Sequence, residues 1–205
     1  MDVNLTGERM SDLATYYRNL ATWEGKPVVE LVAPWSQTDV QDIGNDFRTA
    51  FGLADLRGHP LTVGLGVTNQ SIGNKVADFF VTNLNRHLGQ FRIEDCSGAG
   101  YPDKRLVRLS DRGVFAFELK ATSDFDPNDS NRIVLTSSSE KLRRYFRPPV
   151  FHILATACYG QKGTQIEIGR LRLDFLEPTT PVNVRLEASV SQRILARATH
   201  PNISI

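Results

Sequence analysis

Residues 150–159 form the longest apolar run of the chain, and that run constrains the architecture more than any other stretch. It is far short of the roughly 20 residues a membrane-spanning helix requires, so it reads as a buried strand. The glycine-bearing stretch 160–164 turns the chain back. Residues 165–175 then carry Ile166, Ile168, Leu171 and Leu173 in the alternation of a strand lying on a core.

Helical spacing dominates earlier. Leu13, Tyr16, Tyr17 and Leu20 mark a helix over 11–20, and Val40, Ile43, Phe47 and Phe51 mark another over 39–51. A short strand is expected over 61–67. A helix follows, capped by Ser71 and running to about Leu88, with Ile72, Val76, Phe79, Phe80 and Leu84 on its apolar face. A strand over 91–94 and a glycine-bearing loop over 95–101 lead into two strands, 106–109 and 114–120, joined by a hairpin turn at 110–113. After a polar loop comes a strand over 133–135. Ser137 and Glu140 then form a capping box that opens a basic helix over 138–146, stopped by Pro148 and Pro149. The order of helices, antiparallel strands, a helical crossover and further strands predicts an α/β fold, a mixed central β-sheet flanked by α-helices.

With 205 residues, 40% hydrophobic and 23% charged, the chain fits one globular domain spanning 1–205. Within it, the helical segment 1–60 would serve dimerisation or support, and 61–175 would form the core. Met1, Asp2, Val3 and Asn4 lack the basic start and apolar core of a signal peptide, so a cytoplasmic protein without membrane contact is expected. Cys96 and Cys158 are too far apart for a Cys-x-x-Cys pair, and His59, His87, His152 and His200 show no paired spacing, which argues against zinc. His152, within an apolar strand, reads as a core histidine. Gly64 and Gly66 precede a helix, but no phosphate-loop pattern follows them.

The chemistry is concentrated at one hairpin. Asp103 stands at the entrance of its first strand, and Glu118 and Lys120 stand at the end of its second. Residues two apart in a strand share a face, so Glu118 and Lys120 project together while Leu119 points into the core. A two-residue loop at Asp111 and Arg112 would set Arg105 opposite Glu118 and Asp103 opposite Lys120; a glycine bulge at Gly113 would shift this by one. Two neighbouring carboxylates repel unless a cation lies between them, and an all-oxygen set suits Mg²⁺. A lysine beside them can orient water and offset developing negative charge, which matches phosphodiester hydrolysis.

Tyr101-Pro102-Asp103, followed after the hairpin by Phe115-Ala116-Phe117-Glu118-Leu119-Lys120, resembles the signature of the PD-(D/E)XK nuclease superfamily, and in particular its type II restriction endonucleases. The likeness covers about twenty residues. It implies a restriction-endonuclease-like fold, Asp103 and Glu118 as Mg²⁺ ligands, Lys120 as the residue that orients or activates water, and a 5′-phosphate product. Asp78 matches the acidic place that the family has on an earlier helix; it reads equally as a solvated carboxylate on a polar helix face.

A formal net charge of +1 excludes a protein that grips nucleic acid by bulk charge. The distribution is uneven. Residues 1–60 carry five basic and nine acidic groups, whereas 132–172 carry eight basic and two acidic. A basic segment next to the hairpin suits binding of double-stranded DNA. Asn74, Lys75, Asn131, Arg132, Ser138, Lys141, Arg143 and Arg144 are the candidate DNA contacts, each of which also fits an ordinary exposed surface. A restriction enzyme would act as a C2 homodimer and pair functionally with a DNA methyltransferase. In the family, a last strand antiparallel to its neighbour, as the turn at 160–164 suggests, accompanies blunt or 3′-overhang cutting. A repair nickase, junction resolvase or exonuclease of the same superfamily is the second reading, and a non-catalytic DNA-binding or assembly protein the third.

Overall fold

A computed structural model describes residues 9–98, 100–123, 139–185, 193–196 and 202–205. Its elements are β1 (Arg9–Asp12), α1 (Leu13–Trp23), α2 (Gln37–Ala54), β2 (Leu61–Thr62), α3 (Asn69–Leu84), β3 (Phe91–Asp95), β4 (Lys104–Arg108), β5 (Val114–Thr122), α4 (Glu140–Tyr145), β6 (His152–Lys162), β7 (Gln165–Leu176), β8 (Pro181–Arg185), β9 (Arg193–Ala196) and β10 (Asn202–Ser204). The fold is mixed α/β. The main sheet runs β10-β7-β6-β5-β4-β3, with β2 on the far end of β7, and β1, β8 and β9 form a small separate sheet.

The antiparallel alternation of the main sheet is broken once, between β5 and β6. β3, β4 and β5 are an antiparallel meander, β5 and β6 are parallel, and β6 and β7 are an antiparallel hairpin closed at Gly163 and Thr164. Parallel neighbours need a crossover, and α4 lies within it. β5 is thus covered on both faces, and its residues divide by parity. Phe115, Phe117 and Leu119 join the core built with α2 and α3, whose apolar stripes include Ile43, Phe47, Val76 and Phe80. Ala116 joins a second core with α1 and α4, through Leu13, Tyr16, Tyr17, Leu20, Leu142 and Phe146.

The helices begin where polar caps permit. Asp12 accepts from the Thr15 amide at 2.6 Å to start α1, and Ser36 accepts from the Asp39 amide at 3.0 Å to start α2. α3 begins one turn before the expected Ser71, because Thr68 is its cap and accepts from the Ser71 amide. The strand expected over 61–67 is reduced to Leu61–Thr62, because its partner β7 begins at Gln165, opposite Thr62, and only the Val63 amide reaches on, to the Thr164 carbonyl at 2.8 Å. α4 is shorter than expected, and its cap position is Ser139, whose hydroxyl bonds Glu24 instead of capping the helix. Ser137, Ser138, Asn131, Arg132 and the strand expected at 133–135 lie outside the described residues.

Both helices of the stretch expected to support the core or form a dimer pack on the sheet, α1 on one face and α2 on the other. No helix among the described residues is long and apolar enough to cross a membrane. Cys96 and Cys158 are buried free thiols.

Asp46 of α2 holds the sheet edge. Its buried carboxylate accepts from the amides of Gly89, Gln90 and Phe91 at 2.9, 3.0 and 3.1 Å, fixing where β3 starts. Removing that acceptor leaves backbone donors unsatisfied, so Asp46→Ala is expected to lower stability by about 3 kcal/mol in urea unfolding. A loss within experimental error would show that the start of β3 is held by something else.

Candidate active site

Register brings the acidic pair together. β4 and β5 pair Lys104 with Phe117 and Val107 with Val114, and the Arg108 amide donates to the Gly113 carbonyl at 2.8 Å. The connecting loop is therefore the four residues 109–112, with Arg112 left-handed, in place of the expected two. The register moves by two residues. Arg105 now faces Ala116, and the same register continued by one step sets Asp103 opposite Glu118. An even shift preserves the face, whereas a shift of one would have sent Glu118 into the opposite core. Asp103 and Glu118 thus come closer than the expected pairing implied, and Arg105 pairs with Glu94 at 2.8 Å instead.

Glu118 is the buried member. Its Oε1 lies 2.5 Å from Lys120 Nζ, and its Oε2 accepts from the Asp103 amide at 3.0 Å. Burial pushes its pKa up, Lys120 opposes this, and the Asp103 carboxylate adds to the rise. Asp103 is the exposed member, with 64% of its side chain accessible. The Asp103, Glu118 and Lys120 group expected from the hairpin comes together around Glu118, midway along β5.

α4 positions the approach to Asp103. Lys141 is 7% exposed and donates to the carbonyls of Gly98 and Gly100 at 2.8 and 2.7 Å, with its Nζ 3.7 Å from Asp103 Oδ1. Both glycines have positive φ, a conformation that lets their carbonyls turn toward one ammonium group. Tyr145 bonds the Ser97 amide at 2.9 Å from the same helix. Lys141 is consequently a clamp on the loop before Asp103 and not the surface DNA contact suggested by the charge count. Arg143 is likewise engaged, with the Ser139 hydroxyl and the Pro27 carbonyl, each at 2.8 Å. Arg144 is exposed, over the Tyr145 ring.

Asp78, Asn74 and Lys75 are exposed residues of α3, which packs on the Phe117 and Leu119 side of the sheet. Glu118 faces the other side. The structure does not bring Asp78 to the trio, because α3 turns its apolar stripe toward the sheet and its polar face away from it.

Beneath the trio lies an aromatic layer. His152 is fully buried between Tyr17 and Tyr101, stacked on each at 5.6 and 5.7 Å. Its Nε2 donates to the Leu31 carbonyl at 2.6 Å, so Nδ1 accepts from the Tyr101 hydroxyl at 2.8 Å. The core role expected of His152 is its observed one. Burial raises the pKa of both tyrosines, and the Glu118 charge raises them further. Tyrosines at positions 17 and 101 carry helix and loop signals in the sequence, and nothing there indicated that they would meet under Glu118.

No family model matches the chain, and no curated protein is significantly similar to it. Two carboxylates on opposing residues, one buried and one open to solvent, with a lysine bonded to the buried one, can hold a hard divalent cation at the solvent edge and orient a water beside it.

Burial lowers the pKa of His152 to about 4, against about 6.5 in an unfolded chain. The unfolded state therefore binds the extra proton between those values. The stability gained by keeping the ring neutral is complete above pH 6.5 and is lost as pH falls toward 4, by on the order of 3 kcal/mol. Glu118 acts in the opposite sense, because its raised pKa makes the fold take up a proton first on acidification. Glu118→Gln removes that opposing contribution. Urea titrations from pH 6.5 down to 4 should show a steeper loss for this variant than for the wild type; a flat profile would mean that His152 is not neutral in the fold.

Proposed function

We propose that the chain is a Mg²⁺-dependent endonuclease of double-stranded DNA, a type II restriction enzyme of the PD-(D/E)XK kind, which leaves 5′-phosphates. The observation that carries this reading is the placement of Asp103 opposite Glu118 with Lys120 bonded to the latter. The antiparallel meander β3-β4-β5, the crossover through α4 and the parallel β5-β6 pair support a restriction-endonuclease-like fold. The antiparallel β6-β7 hairpin supports the blunt or 3′-overhang class.

Asp103 and Glu118 would hold Mg²⁺. Their fit rests on the donor set, because Mg²⁺ takes one or two protein carboxylates and completes its shell with water and phosphate oxygens. It also rests on the raised pKa of Glu118, which marks a site where added positive charge is favourable. When bound, the metal polarises the phosphodiester and lowers the pKa of water. Lys120 orients the attacking water, and its charge offsets the negative charge that develops on phosphorus-bound oxygens. Water adds to phosphorus, the bond to the 3′ oxygen breaks, and that oxygen leaves as a hydroxyl. Lys141 keeps the loop in place so that Asp103 faces Glu118. A C2 homodimer would cut both strands, and a methyltransferase of the same specificity would protect the host's sites.

Incubation with plasmid and phage DNA in Mg²⁺ tests the reading. Discrete fragments are expected. Nicking or smearing would favour a repair nickase, junction resolvase or exonuclease, and binding without cleavage a non-catalytic DNA-binding protein. Asp103→Ala and Glu118→Ala should abolish cleavage while binding in Ca²⁺ persists, and Lys120→Ala should slow it by about 10²–10⁴-fold. Asp78→Ala, across the sheet, should leave it unchanged.

A further inference from the structure

The face that carries Glu118 and Lys120 continues across the sheet. In the parallel β5-β6 register Glu118 meets Leu154 and Lys120 meets Thr156; in the β6-β7 register Leu154 meets Asp174 and Thr156 meets Arg172. Partners in a ladder share a face, so Glu118 is level with Asp174, and Lys120 is level with Arg172 with Thr156 between them. Two inter-strand spacings separate β5 from β7, about 9.5 Å. The second pair repeats the first. Arg172 Nε bonds Asp174 Oδ1 and Oδ2 at 2.9 and 3.0 Å, and its NH2 bonds Oδ1 at 2.8 Å.

The two pairs are layered alike. The carboxylates are deep, with 5% and 4% of the Glu118 and Asp174 side chains accessible, whereas Lys120 and Arg172 reach solvent with 25% and 22% accessible. What this region of the face presents outward is therefore positive charge held on a buried negative base. Asp174 uses the Nε and NH2 edge of the guanidinium, which leaves the NH1 end out of that contact. A planar group fixed along one edge presents its remaining donors in a set direction, the geometry suited to a phosphate oxygen pair.

We infer that Arg172, with Thr156 beside it, forms an anion subsite that takes a DNA backbone phosphate near the scissile one. This rests on the nuclease reading for the identity of the ligand, and on the register alone for the site. Arg172 is a binding residue there, and Asp174 a positioning residue that acts through it.

The test uses the full chain. Duplex DNA binding is measured by fluorescence anisotropy in Ca²⁺ over a salt series, and inorganic pyrophosphate is used as the probe in thermal unfolding. Arg172→Gln with Asp174→Asn keeps a neutral hydrogen-bonded pair, and Arg172→Lys keeps the ion pair but removes the fork. The expected result is weaker binding by the double variant, a slope of log affinity against log salt reduced by about one, and loss of protection by pyrophosphate. Arg172→Lys should retain the salt slope but bind pyrophosphate more weakly. If both variants match the wild type in slope and in protection, the pair is structural only and the proposal is overturned. Cleavage by the wild type with binding unaffected by Arg172 would reject the subsite and keep the nuclease. Pyrophosphate protection that depends on Arg172, in a protein that neither binds nor cuts DNA, would keep the anion site and reject the nuclease.

Discussion

The alternation of β5 is the constraint on which the rest of the structure depends. Strand geometry sends Phe115, Phe117 and Leu119 to the core shared with α2 and α3, and Ala116, Glu118 and Lys120 to the face shared with α1 and α4. Because β5 is paired on both sides, antiparallel to β4 and parallel to β6, neither its register nor its faces can slip without moving both neighbours. A buried carboxylate is costly unless its oxygens are bonded. Glu118 meets that condition because the same pairing that buries it also brings the Asp103 amide and Lys120 to its two oxygens.

Charge in the site is held by the surrounding fold. Lys141 would be an expensive burial on its own, yet two glycine carbonyls and the nearby Asp103 carboxylate receive it. The result ties α4, which follows the hairpin, to the loop that precedes it. Asp103 is thereby both exposed and positioned. Arg108 performs a similar task at the other end of the hairpin, pairing with Asp39 of α2 and with Asp111 while lying over the Phe115 ring.

Much of this was legible in the residues. Helical spacing located α1 and α2, the hairpin turn located β5, a continuous apolar run located β6 and alternation located β7, because apolar patterning directly reflects which faces are buried. Glu118 and Lys120 share a face for the same local reason. Other features were not legible. The four-residue loop before Gly113 depends on Arg112 taking a left-handed conformation, which non-glycine residues seldom adopt. The basic segment suggested surface contacts, but Lys141 and Arg143 are consumed by carbonyl groups and Ser139, since a helix lying over a loop finds acceptors there. Asp78 has the right residue type on a helix near the hairpin in sequence, yet its helix lies on the other side of the sheet.

Sequence by itself determined the α/β class, the strands that build the centre of the sheet, and the common face of Glu118 and Lys120, because each follows from periodicity within a few residues. Tertiary structure alone decided which groups meet that face. Asp103 stands opposite Glu118, Lys141 clamps the approach to it, and Arg172 and Asp174 lie level with Lys120 and Glu118 two strands away, through pairings between segments far apart in the chain. Register and long-range packing carry no local periodic signal, so the partners of a site become visible only when the sheet is assembled.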